Sequence, residues 1–373
     1  MSIFSPSADP LLMALASALE TQGSPWAGAP LERLKDKGLA HDHVRLGGYG
    51  LLARIPKQSQ MRLSAHDNLA YQSTCFERAA AGGHTPQLRG VLQPCASLPR
   101  GALLVEEIVG RNAALPADLG RIVHALASIH GLPLPAAAQR LPLIDADDPL
   151  SALLEEIADQ SRHLAAARLD ASAEAAILRE LASLRALCAG EARPPRHLIA
   201  FDGHPGNFII RAHAPARDAG KGDADGAGDA VLVDLEKCRY SYPGLDLAHA
   251  TLYTSTTWDT ESHAVLSLAD VLGAYQTWSE SMLEATASAA LPWHVPLRRA
   301  MWLWSITWCA KWRVVSAVEV SATPDGEDWS EARSDEALIR HVRDRVDHYL
   351  SPEVVTQMRE EFDRLDAALG CAA

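Results

Sequence analysis

The sequence predicts an α+β chain of two lobes: a small β-rich lobe with one helix over residues 1–108, and a large, mostly helical lobe over 109–373. Three observations predict it. With 373 residues the chain is long enough for two separate cores. Between about residues 31 and 108, short apolar runs are separated by turn signals, with one helical stripe among them. From about residue 111 onward, apolar residues recur every three or four positions.

In the first lobe an N-terminal helical extension precedes the strands. Val44–Leu46 and Leu51–Ile55 flank Gly47-Gly-Tyr-Gly50, a hairpin signal. Just before them, Lys37-Gly38 to His41-Asp-His43 is a polar segment with one glycine, either a plain turn or a loop over phosphate. Arg54 lies inside the second strand, which Pro56 ends, and its planar fork can bridge phosphate oxygens and a carboxylate. Lys57, three positions on, projects from the other face. Asp67 is placed to cap a helix with the stripe Leu69, Gln72, Cys75, Phe76 and Ala79, ended by Gly82-Gly83. Glu77 projects beside that stripe. Ala102–Val105 then run as an apolar strand into Glu106, Glu107, Ile108, Val109 and Gly110, where the chain is expected to pass from the first lobe to the second.

The second lobe opens with Leu119, Ile122, Val123, Leu126 and Ile129, a helical stripe ended by Gly131 and Pro133. Leu150, Leu153, Leu154 and Ile157 form another, and an alanine-rich helix follows near 172–188. His197–Phe201 reads as strand-like. Phe208–Ile210 and Ala230–Val233 read as a hairpin that brings Asn207 and Asp234 to one place, with a Gly-, Ala- and Asp-rich tip at 213–229 expected to be mobile. The Asp-x-Asp-Gly in that tip lacks the glutamate of a calcium loop. Near the C-terminus Trp302, Trp304, Trp308 and Trp312 cluster, and the last three share i, i+4 spacing. Such a stripe is core, or else an aromatic wall for a quaternary ammonium.

The chemistry lies in Asp202-Gly-His-Pro-Gly-Asn207 and Asp234-Leu-Glu236. Phosphoryl transfer from a nucleotide needs one carboxylate at the acceptor hydroxyl, with an Asn oxygen and a second carboxylate holding Mg²⁺ against the phosphates. Magnesium prefers hard oxygens and takes one or two carboxylates along with substrate phosphates. His204 reads as tightening the Pro205-Gly206 turn, with general base as its alternative role. Glu236 reaches a second metal or the solvent, on the same face as Asp234 if the strand continues.

At these residues the chain resembles the aminoglycoside phosphotransferase and choline kinase superfamily, small-molecule kinases of protein-kinase-like fold. The family pattern H-G-D-x-H-P-x-N, D-x-E, D-P-x-x-D-L-A is met here by Asp202 to Asn207, Asp234-Leu-Glu236 and Tyr242-Pro243-Gly-Leu-Asp246-Leu-Ala248. Two departures stand out: Ala200-Phe201 replaces His-Gly, and Tyr242 replaces Asp. The resemblance covers roughly residues 33–260. It implies that Asp202 is the catalytic carboxylate, Asn207 and Asp234 the metal ligands, and Asp246 a brace under the loop. It also implies that Arg54 holds the nucleotide phosphates, with Glu77 as its ion-pair partner, and that Glu106 to Ile108 contact the adenine through main chain. The implied activity is transfer of the γ-phosphoryl group of ATP or GTP, with Mg²⁺, to a hydroxyl of a small molecule. A pseudokinase that binds nucleotide or acts as a scaffold is the alternative, prompted by the missing His-Gly.

Composition narrows the partners. Forty-seven acidic against 34 basic residues give a net charge of −13, which disfavours nucleic acid and tolerates a cationic acceptor. Trp304 and Trp308, with acids such as Glu261, Asp270, Glu280 and Glu284, are candidates to receive that cation. No apolar run of membrane-spanning length and no signal peptide is visible, and six scattered cysteines read as reduced thiols, so a cytoplasmic enzyme without membrane contact is expected.

Overall fold

The computed structural model describes residues 9–35, 40–59, 61–212, 227–259, 262–316 and 336–370. These divide into two compact units: one of 9–77 and 86–108 with 336–339, the other of 78–85, 109–316 and 340–370. The expected loop at Lys37-Gly38, most of the expected hairpin tip (213–226) and Glu261 lie outside the described residues.

The smaller unit begins with α1 (Pro10–Thr21), which starts at Pro10 because Asp9 caps it by accepting the Leu11 N–H. Strands β1 (Leu31–Arg33), β2 (His41–Leu46) and β3 (Leu51–Pro56) follow, then α2 (Ala65–Ala79), β4 (Leu88–Leu92) and β5 (Ala102–Glu106). The five strands form one antiparallel sheet in the order β1-β2-β3-β5-β4. The hairpin of β2 and β3 turns through Gly48 (φ 83°) and Gly50 (φ 62°), a left-handed backbone that glycine adopts without strain. Leu15, Ala18 and Leu19 of α1 share a core with Val44, Leu46, Leu51, Ala53 and Leu104 of the sheet. A fully buried leucine or valine here contributes about 1.5–3 kcal/mol. The cap of α2 is Ser64 rather than Asp67. The Ser64 hydroxyl accepts the Asp67 N–H and donates to the Asp67 carboxylate, so Asp67 stands in the first turn.

The larger unit opens with β6 (Gly110–Asn112), α3 (Leu119–His130), α4 (Pro149–Ser161) and α5 (Ala171–Ala189). Then come β7 (His197–Ile199), β8 (Phe208–Ala212), β9 (Ala227–Leu232) and β10 (Arg239–Ser241). The rest is helical: α6 (Pro243–Thr251), α7 (Tyr253–Thr256), α8 (Leu268–Ser281), α9 (Glu284–Ala290), α10 (His294–Val315), α11 (Glu336–Tyr349) and α12 (Pro352–Gly370). Two small antiparallel sheets, β6-β8-β9 and β7-β10, carry the loops of interest. Gly110 permits the first: a Cβ there would stand 2.1 Å from the Ile210 carbonyl oxygen. The α3 stripe is buried as expected and packs with Leu247, Val271, Trp278 and Leu365. Within the tryptophan cluster, Trp302 and Trp312 are core, whereas Trp304 and Trp308 are half-buried. Among the described residues no helix is long and apolar enough to cross a membrane.

Candidate active site

The loop after β7 is fastened from below. Asp246, in the first turn of α6 and fully buried, accepts the N–H of Ala200 at 2.7 Å and of Phe201 at 2.7 Å. His130 at the end of α3 donates to the same carboxylate through Nε2 at 3.0 Å. Its Nδ1 accepts the indole N–H of Trp278 at 3.0 Å, which puts the imidazole proton on Nε2 because an indole nitrogen only donates. Where the family pattern has His-Gly, Phe201 takes a left-handed φ of 60°. Its ring is held there by the Arg239 guanidinium, 3.6 Å from the ring centroid, and by the edge of Trp304 at 5.2 Å.

Above this floor, Asp202 to Asn207 makes a tight turn. His204 Nδ1 accepts the Gly206 N–H at 3.0 Å, and Pro205 opens a short 3-10 turn at Pro205–Asn207. Burial pushes the His204 imidazole down to about 4, so it stays neutral at ordinary pH. Asn207 Nδ2 donates to the Asp202 carbonyl at 3.1 Å, and the Asn207 carbonyl accepts the N–H of Val233, the neighbour of Asp234, at 2.9 Å. The hairpin register, Phe208 opposite Leu232, thus brings Asn207 opposite Val233, one residue before Asp234.

The Asp202 carboxylate meets Lys237 Nζ at 2.7 Å through Oδ2, and His249 Nδ1 stands 3.6 Å from Oδ1. Burial alone would raise the Asp202 carboxyl, but the Lys237 ammonium and then His249 pull it below the usual range, against the like charge of Asp234. Burial likewise disfavours the Lys237 ammonium, yet Asp202, Glu236 and Asp234 hold it up at about 12. Asp259 also approaches: a Cβ on Gly206 would lie 2.7 Å from its Oδ2.

Several expectations need correction. The strand does not continue past Leu232, so period-2 alternation does not govern Glu236, which is buried rather than solvent-facing. His249 of α6, to which the motifs assign no role, faces Asp202. It lies three positions after Asp246 and therefore shares its helix face. The motifs do not single out Lys237, His130 or Asp259. Lys237 adjoins Glu236 and was within reach of the sequence, whereas the pairing of His130 with Asp246 spans 116 residues and has no local signal.

In the smaller unit, Arg54 is buried in β3, opposite His43 and Leu103, with its guanidinium 5.5 Å from the Phe76 ring centroid. Glu77 is exposed and makes no described ion pair with Arg54. One residue beyond the ring that Arg54 touches, it is turned by about 100° around the helix. Lys57 Nζ stands 3.9 Å from Asp42. The amides of Glu106 and Glu107 are already committed, to the carbonyls of Gln87 and Gly50. The Glu106 carboxylate accepts the Gln87 N–H at 3.3 Å, and Ile108 follows half-buried.

The aromatic candidates separate. Trp304 Nε1 donates to Glu156 at 3.1 Å, and the nearby Phe201 ring already carries the protein's own Arg239, itself paired with Glu156. Trp308 meets Trp258 edge-on at 5.9 Å, and Trp258 stacks on Tyr349 at 6.2 Å. Asp270 is used in the cap of α8, accepting from Ser267.

Solved structures match along nearly the whole chain. A choline/ethanolamine kinase family protein from Mesorhizobium loti is 16% identical with a TM-score of 0.55, covering 96% of this chain and 99% of that one. The chain has the fold of the small-molecule kinases. A Plasmodium vivax ethanolamine kinase is 13% identical, with TM-score 0.56 and coverage of 89% and 84%. The GDP complex of aminoglycoside 2'-phosphotransferase-IIIa is 15% identical, with TM-score 0.53 and coverage of 91% and 98%. At 13–16% identity these neighbours show a shared fold. No family model and no curated protein matches the sequence.

Proposed function

We propose that the chain is a phosphotransferase that moves the γ-phosphoryl group of ATP or GTP, with Mg²⁺, to a hydroxyl of a small molecule. The observation that carries this reading is the turn of Asp202 to Asn207, held by Asp246 and bonded through Asn207 to the residue before Asp234. It sits in a fold shared with choline and ethanolamine kinases and aminoglycoside phosphotransferases. GTP stands beside ATP because one of these neighbours, aminoglycoside 2'-phosphotransferase-IIIa, is seen in complex with GDP.

The residues fit a magnesium ion. Asn207 spends Nδ2 on the Asp202 carbonyl, so its Oδ1 is the end left for a cation, and Asp234 adds a carboxylate. Among the described residues no three of His, Cys, Asp or Glu are grouped to hold a metal, and Mg²⁺ needs only one or two carboxylates with substrate phosphates. When bound, the ion neutralises the phosphate oxygens and the leaving group. Asp202 receives the acceptor's hydroxyl proton as that oxygen bonds the γ-phosphorus and the bridging P–O bond to the nucleoside diphosphate breaks. Arg54 is the proposed cation for the nucleotide phosphates, and Ile108 the proposed main-chain contact for the base. The acceptor is taken to be a cationic amino alcohol or aminoglycoside-like compound. The net charge of −13 and the Trp258, Trp308 and Tyr349 group favour such a cation. The proposed compartment is the cytoplasm.

A second reading, nucleotide binding without turnover, is favoured by the exposed Glu77 and by Lys237 on the Asp202 carboxylate. The test is purified protein with Mg²⁺ and ATP or GTP against amino alcohols, aminoglycosides, sugars and homoserine. Transfer to an amino alcohol or aminoglycoside is the expected result. Nucleotide binding with no transfer and no slow hydrolysis would establish the second reading instead.

A further inference from the structure

We infer that Lys237 is a positioning residue for the transfer reaction, holding Asp202 by one oxygen so that the other meets the acceptor hydroxyl. The inference rests on the phosphotransferase reading and goes beyond it, since the motif assigns Lys237 no role. Three observations support it. The ammonium reaches Oδ2 at 2.7 Å, and both side chains are largely buried (15% and 18% exposed), so the contact is not a solvent-screened surface pair. Oδ1 has His249 near it at 3.6 Å, longer than a hydrogen bond, which leaves that oxygen able to accept from a hydroxyl. The Asp202 main chain is already fixed, by the Asn207 side chain on its carbonyl and by Asp246 on the preceding amide. The remaining freedom is rotation of the carboxylate, and Lys237 removes it.

Removing Lys237 would also take away the main charge that offsets the like charge of Asp234 at Asp202. The carboxylate would then turn away from the productive position, and a displacement of about 1 Å costs roughly 10²-fold in rate. A purely structural ion pair would lower stability without a selective effect on turnover. A blocking ion pair would raise turnover when broken.

The experiment is steady-state kinetics on the full chain with the best acceptor of the panel, for wild type, Lys237→Met, Lys237→Arg, Asp202→Asn and the Asp202→Asn/Lys237→Met double variant. Lys237→Met is expected to lose about 10²-fold in kcat while the nucleotide KM stays within about threefold. Lys237→Arg should recover about tenfold of that loss, because it restores a cation at Oδ2. In the Asp202→Asn background Lys237→Met should cost nothing further, since residues acting through one group are not additive. If Lys237→Met does not fold, Lys237→Gln is read by the same criteria. An unchanged or higher kcat in the Lys237 variants, or fully additive losses in the double variant, overturns the inference and leaves the phosphotransferase reading standing. A wild type that transfers to no acceptor sinks that reading, and the role of Lys237 with it.

Discussion

Replacing Asp246 by Asn tests the floor of the candidate site. Oδ2 accepts both the Ala200 N–H and His130 Nε2, and Oδ1 accepts the Phe201 N–H, all without access to water. An amide has one acceptor oxygen. With that oxygen in the Oδ2 place, Phe201 faces an NH₂ donor; turned over, both Ala200 and His130 do. At least one buried N–H is stranded, at about 1–3 kcal/mol, and bonds to a charged acceptor, worth about 1.5–3 kcal/mol each, become neutral or are lost. The total is about 3–5 kcal/mol, the range for breaking a buried charged partner. At about 2–4 °C per kcal/mol for a unit of this size, Tm should fall by roughly 6–20 °C in thermal unfolding followed by circular dichroism. Asp170→Asn, at an exposed helix cap where Asn serves about as well, is the control and should shift Tm by no more than about 2 °C. If Asp246→Asn unfolds within that same margin of wild type, the carboxylate is not what holds the loop.

The other predictions concern the site and the core. Asp202→Asn should keep nucleotide affinity while losing about 10²–10⁴-fold in turnover. Asp234→Asn should instead weaken the Mg-nucleotide complex, read as loss of the ligand-induced rise in Tm. His294, buried and stacked at 4.4 Å on Tyr275, has no hydrogen-bond partner on either ring nitrogen among the described residues, and burial pushes it down to about 4. The unfolded chain therefore binds the extra proton first, so this contribution is complete above the ordinary histidine value of 6.5 and is lost as pH falls toward 4. The loss amounts to about 3 kcal/mol, and His294→Phe should flatten that limb of denaturant-measured stability against pH. Trp302→Leu, at a fully buried position against Phe362, should be strongly destabilising. Trp308→Leu should fold and, if it faces a cationic acceptor, raise the acceptor KM by roughly 30-fold at unchanged nucleotide affinity. An unchanged acceptor KM would remove Trp308 from the acceptor site.

Much of this molecule is legible in its sequence. The hairpin at Gly47–Gly50, the α3 stripe and the hairpin joining Asn207 to Val233 all follow from period and turn chemistry. These are local signals, because which face of an element is apolar is set by neighbours within a few residues. The order Asp202, Asn207, Asp234 is likewise carried by the chain itself. What tertiary structure alone decided is which side chain answers which. Glu77 belongs to a helix the periodicity finds, yet its rotation relative to β3 leaves it exposed while Phe76 meets Arg54. Lys237 reaches Asp202 across 35 residues, and His130 reaches Asp246 across 116, where no spacing rule operates. A pattern of burial records that a residue leaves water. The partner that makes burial of a charge tolerable is chosen by the packing of distant elements, and the surroundings of the Asp202 carboxylate are set there.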